Sequence, residues 1–170
     1  SMLMADYGFL LSNRSRVGGQ VSKSDNTFDG SSTNDSETTN LTFYASYIFG
    51  QYRPIVLQTQ LTKTDDKAVN GRTDGDKDAL GIAVMGQFIF NQKHIFFANV
   101  NRLTSEYDLK RSLYDTPRDE TQMIYGLGYL WQLNKQLGIK AQVSRTETSS
   151  NISLYDMDKQ DASVRLNYNF

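Results

Sequence analysis

Few residues in this chain have the type and spacing for catalysis. His94 is the only histidine, and there is no cysteine. Nucleophilic sites place an imidazole beside a hydroxyl, thiol or carboxylate. His94 instead follows the short polar stretch "NQK" (91–93) and reads as an interfacial aromatic at an element end. No paired-acid motif stands out for acid–base work. "DGDKD" (74–78) offers three alternating carboxylates, Asp74, Asp76 and Asp78. It lacks the glycine and distal glutamate of a calcium loop, so a solvated loop is expected, with no metal and no cofactor. The expectation is a protein that is not an enzyme.

A recognition pattern recurs instead. "GQVSK" (19–23), "TQLTK" (59–63), "ANVNR" (98–102) and "AQVSR" (141–145) share one order: small, amide, aliphatic, small polar, basic. In an extended chain successive side chains face opposite ways. The amides Gln20, Gln60, Asn99 and Gln142 then share one face. Lys23, Lys63, Arg102 and Arg145 share the other with the aliphatic residue two before each. Such cations suit phosphate oxygens.

The elements that hold these residues are strands. Leu41, Phe43, Ala45, Tyr47 and Phe49 alternate strictly with polar or small residues. So do Leu80 to Phe90, Met123 to Leu133 and Ala162 to Phe170. This period of two marks β-strands. Each run carries an aromatic pair near its end: Tyr47/Phe49, Phe88/Phe90, Tyr129/Trp131 and Tyr168/Phe170, about 40 residues apart. The repeats alternate with the basic-ended strands, which must run the other way. Connections on one side are short: 50–51, 91–93 and 133–136. On the other side lie long polar segments: 24–38, 64–78, 103–120 and 146–160.

Short turns at one end and long loops at the other describe a transmembrane barrel of the outer-membrane type. The aromatic pairs would form a girdle at the periplasmic interface, and the four cations a lipopolysaccharide-facing ring at the other boundary. The fold expected is all-β: an antiparallel up-and-down transmembrane β-barrel of about eight strands over residues 1–170. Residues 1–11 stand apart. "GFLLSNRSRVGGQVSKS" (8–24) reads like "GYLWQLNKQLGIKAQVSRT" (128–146) with a shorter turn. On that reading the segment is the tail of a preceding strand, and the chain the C-terminal part of a larger barrel.

The chain closes on "SVRLNYNF" (163–170), with Phe170 last. This terminal aromatic after alternating apolar residues resembles the signature that bacterial outer-membrane barrels present to their assembly machinery, which the resemblance implies as a partner. The closing third, above all "SSNISLYD" (149–156), resembles the final hairpin of larger barrels such as the surface lipoprotein assembly modifiers.

Inside such a barrel the expected lumen-lining residues are Arg16, Gln20, Gln60, Asn99, Lys140, Gln142 and Arg165. No acid is expected at the depth of the three cations. Two readings of the lumen stand side by side. In one, long side chains fill the space beside Gly81, Ala83, Gly126 and Gly128, giving a closed structural or surface-interaction barrel that works through its loops. In the other the lumen is a narrow, weakly anion-favouring channel with a porin-like or transport role. The loop at 103–120, with Tyr107, Leu109, Leu113 and Tyr114 among charges, is a candidate contact for an extracellular partner.

A soluble, lipocalin-like barrel uses the same strands with the apolar face turned inward. A net charge of −1 gives no basis for nucleic-acid binding. No run approaches the ~18–20 apolar residues of a membrane helix, which leaves strands as the route across a bilayer. No secretory-signal pattern heads the chain, which reads as a mature segment of an integral outer-membrane protein.

Overall fold

The computed structural model describes residues 1–26, 35–69, 75–110 and 116–168. Nine strands form one antiparallel sheet in chain order. They are β1 (Met2–Ser12), β2 (Ser15–Asn26), β3 (Ser36–Phe49), β4 (Ile55–Ala68), β5 (Lys77–Asn91), β6 (His94–Lys110), β7 (Pro117–Gln132), β8 (Leu137–Ser150) and β9 (Met157–Tyr168). A 3-10 turn, Ser153–Tyr155, lies between β8 and β9. The antiparallel up-and-down order read from the alternation is the one observed. The segment 1–11, read as the tail of a preceding strand, supplies the ninth: β1 pairs with β2 from Met2↔Ser24 to Leu10↔Arg16 and, after a bulge, at Ser12↔Ser15.

The sheet keeps two free edges. As odd members of an alternating series, β1 and β9 run in the same direction, and they do not pair with each other. A direct seam between them would be parallel. Antiparallel closure requires an odd number of strands between them.

At one end the turns are tight and their backbone donors are satisfied by side chains. Asn91 Oδ1 accepts the N–H groups of Lys93 (2.8 Å) and His94 (3.0 Å). Asn134 Oδ1 accepts those of Gln136 and Leu137, both at 2.9 Å. Gly50, at φ 78°, opens the turn that leads to Pro54.

At the other end the strands run on into the polar segments expected to be loops. β6 extends to Lys110 and β7 begins at Pro117, so most of 103–120 is paired strand. Ser, Thr, Asp and Glu on both faces hide the ladder from a hydropathy pattern, yet backbone pairing does not need an apolar face. β6 has 17 residues, whereas about 9–11 cross a bilayer. The strands therefore project well past the apolar band.

Burial is inverted relative to a soluble domain. Among the described residues only Ala79 and Ile152 are apolar and buried, while polar Ser22, Thr42 and Ser105 are buried. On the opposite face Phe43 is 55% exposed and Leu127 62%. The enclosed face is polar and the open face apolar. That corrects the lipocalin-like arrangement, whose apolar face would be inside. Such exposed apolar area is unfavourable in water and suits contact with lipid.

Candidate functional site

Register decides which residues share a face. Gln20 pairs with Thr42, Thr42 with Thr62, Thr62 with Gly81, Gly81 with Leu103, Leu103 with Gln122, and Gln122 with Thr148. By parity with this row, Arg16, Gln60, Asn99, Lys140, Gln142 and Arg165 all fall on the enclosed polar face. Hydroxyl and amide side chains ladder across it. Thr42 and Thr62 are 3.0 Å apart at their Oγ1 atoms. Gln60 donates to Thr62 (3.1 Å), and Thr64 donates to Asn40 (2.6 Å).

Glycines on this face make room for neighbours in the same sheet. A Cβ at Gly18 would collide with the Tyr44 ring, and one at Gly128 with the Phe97 ring. Asn99 lies over Gly126 in the same way. The space beside Gly126 and Gly128 is taken by Asn99 and Phe97 of the adjacent strand β6 rather than by the expected Arg16, Lys140 and Arg165. Phe97 had no place in the alternating pattern, because "FF" at 96–97 sends one ring to each face. Its ring also carries Lys140, whose Nζ stands 4.7 Å from the ring centroid.

The three cations of this face differ. Arg16 is partly neutralised: it donates to the Tyr44 hydroxyl (3.2 Å), which donates to Asp6 Oδ1 (3.0 Å), and Arg16 lies 4.0 Å from that carboxylate. The expectation of no acid at matching depth fails here because Asp6 belongs to β1, the segment read apart from the main repeat. Lys140 and Arg165 stand directly opposite each other in register. No ion pair forms at either residue among the described residues.

Lys23, Lys63, Arg102 and Arg145, expected to form a ring, all fall on the other face. The row through Lys63 meets β2 at Val21, two residues before Lys23, and β6 at Thr104, two residues after Arg102. The row through Arg102 meets β8 at Glu147, two residues after Arg145. Each cation is thus one residue per strand nearer the short turns than the last. With ~3.3 Å rise and ~4.8 Å strand spacing, that stagger matches a strand tilt of about 35°, the usual tilt of barrels. Strands tilted by that angle in the matching sense would bring all four cations to one depth. Leu41, opposite Lys63, stands eight residues from Phe49, and Ile82, opposite Arg102, eight from Phe90. Such a run spans roughly 20 Å, near the ~25 Å apolar band of outer-membrane barrels.

The aromatic girdle is continuous across β5 to β7. Phe88 stacks on Phe96 (6.4 Å), Phe96 leans on Tyr129 (4.9 Å), and His94 stacks on Tyr129 (5.9 Å) and Trp131 (6.3 Å). Tyr47 and Phe49 are 4.5 Å apart on β3. Tyr168 ends β9 on the same face by register with Leu137. Phe170 lies outside the described residues. Phe96 and the β1 pair Tyr7/Phe9 (4.7 Å) extend the girdle beyond the four pairs read from the repeat. His94 Nδ1 lies 2.5 Å from the Tyr129 hydroxyl, on the apolar face.

At the long-loop end the segment 150–156 folds back on β7. Ile152 is buried. Arg118, 7% exposed, lies between the rings of Tyr107 (3.7 Å) and Tyr155 (4.3 Å) and pairs with Glu120 (3.3 Å). Tyr107, expected in an exposed loop, is engaged in this stack, and Leu113 and Tyr114 lie outside the described residues. Asp74 does too. Asp76 accepts the Ala68 N–H (2.8 Å), so it serves the local fold.

No family model and no curated protein matches the chain, and the likeness of its closing third to surface lipoprotein assembly modifiers rests on its residues alone. Solved structures do match. In-vitro folded OmpT, an outer membrane protein of Vibrio cholerae, is similar with a TM-score of 0.67 and 12% identity, over 98% of this chain and 55% of that one. Its loop L8 deletion mutant is similar with a TM-score of 0.63 and 13% identity, over 91% of this chain and 48% of that one. The fold is therefore that of an outer-membrane β-barrel, and the chain spans about half the length of these structures.

Proposed function

We propose that the chain forms part of the wall of an integral outer-membrane barrel with a porin-like role: passage of small polar solutes, with a mild preference for anions. The observation that carries the reading is the Lys140–Arg165 pair. Two like charges directly opposite on a sheet repel, and they share their face with the amides Gln87, Asn99, Gln142 and Asn167 and with the apolar Ile95, Phe97 and Leu130. Mobile anions in the lumen would relieve that repulsion. Among the described residues only Ala79 and Ile152 are apolar and buried, which favours an open lumen over the filled one. Catalysis is not part of the reading; His94 stacks in the aromatic girdle on the opposite face.

The partners in this reading are outer-membrane lipid with lipopolysaccharide at the cation ring, the barrel-assembly machinery at β9, and an extracellular ligand at the rim of β6 and β7. The test is conductance in planar bilayers under a salt gradient. The expected reversal potential is on the anion side, moving toward zero in Lys140→Ala/Arg165→Ala. Absence of conductance, cation selectivity, or an unmoved potential in the double variant would each overturn it.

A further inference from the structure

The four cations of the outer face are not equivalent. Lys23 is ion-paired to Glu37. Arg145 is held by Asp158 through Nε (3.1 Å) and Nη2 (2.8 Å), and by Glu147 (2.8 Å). Lys63 and Arg102 form no ion pair among the described residues, although both are exposed.

These two stand at opposite corners of one patch. Lys63, Leu80 and Thr104 form one cross-strand row, and Leu61, Ile82 and Arg102 form the next toward the short turns. The two cations are two strands apart, on the order of 10 Å in the hydrogen-bonding direction. They flank a concavity of about 530 Å³ lined by Leu80, Ile82 and Thr104, with Asp78 and Glu106 on the loop side. Below it the apolar face continues through Val84 and Val100 to Phe88 and Phe96.

We infer that Lys63 and Arg102 form a docking site for the phosphorylated headgroup of an outer-leaflet lipid, its acyl chains lying over Ile82, Val84 and Val100. This rests on the reading that the outer face meets lipid. Position selects the occupant's charge. The groups at the apolar boundary are cationic, with the Thr104 hydroxyl as a further donor, and phosphate oxygens accept from both, while the acids Asp65, Asp78 and Glu106 stand one row further toward the long-loop end. The position selects the lipid: apolar surface begins within one residue pair of the cations, which a free phosphate would not use. Lys23 and Arg145 have carboxylates in their place, and hence no call for a phosphate.

The test uses phosphatidylcholine vesicles doped with lipid A, in the presence of EDTA so that no divalent ion bridges Asp78 or Glu106 to phosphate. Lys63→Gln/Arg102→Gln should lower lipid A affinity roughly thirtyfold, from the worth of two basic side chains at a membrane surface. Lys23→Gln/Arg145→Gln should change it less than about twofold, and the charge-preserving Lys63→Arg/Arg102→Lys should retain most of it. An equal loss in both Gln pairs, an unchanged affinity in Lys63→Gln/Arg102→Gln, or displacement of lipid A by inorganic phosphate would overturn the site. Trp131 fluorescence reports insertion in the same samples. Failure of the unaltered protein to insert would overturn the lipid-facing reading itself, an outcome separate from loss of the headgroup site.

Discussion

Asn151 binds both backbone groups of Asp119. Its N–H donates to the Asp119 carbonyl at 3.1 Å, and its Oδ1 accepts the Asp119 N–H at 2.9 Å. A side chain thereby continues the β7–β8 ladder after β8 has ended, and its amide also donates to the Pro117 carbonyl (2.8 Å). This anchors the segment that carries Ile152 and Tyr155.

Asn151→Ala should free that segment. Losing the side-chain bonds costs about 1–3 kcal/mol where they hold a folded turn, enough to raise hydrogen exchange across 150–156 while β3 to β6 stay protected. Unchanged exchange in 150–156 would show that Ile152 and Tyr155 hold the segment without Asn151.

Gly128→Val should destabilise the folded barrel by about 1–3 kcal/mol through collision with Phe97. Combining it with Phe97→Ala should recover part of the loss, because contacting sites are non-additive. Strict additivity in unfolding from detergent would place Phe97 elsewhere.

Asp6→Asn should strengthen anion preference, since Arg16 then loses the carboxylate that partly neutralises it. Arg16→Ala alone should shift the reversal potential less than Lys140→Ala/Arg165→Ala. The reverse order would mean that Asp6 leaves Arg16 electrostatically free.

Trp131 is the only tryptophan, which makes the girdle directly measurable. Quenchers placed near the lipid headgroups should quench it more than quenchers at the bilayer centre. Strongest quenching at the centre would remove the aromatic pairs from the interface.

In detergent the protein should give a β-type circular dichroism spectrum and migrate differently on gels before and after boiling. A mainly helical spectrum contradicts every strand assigned above.

Strand faces were legible in the sequence because side-chain direction alternates locally. Leu41 and Phe43 share a face whatever β3 pairs with, and the fourfold recurrence of amide and cation placed Gln20, Gln60, Asn99 and Gln142 opposite Lys23, Lys63, Arg102 and Arg145. Partnership was not legible, because it depends on cross-strand register. That register set Asp6 beside Arg16 through Tyr44, laid Phe97 over Gly128, and neutralised Lys23 and Arg145 while giving Lys63 and Arg102 no ion pair among the described residues. It also carried β6 and β7 past their apolar runs, since backbone hydrogen bonds form between strands whose side chains are polar on both faces. The ninth strand follows the same logic: β1 has the alternation of its neighbours, but only its ladder to β2 makes it part of the sheet.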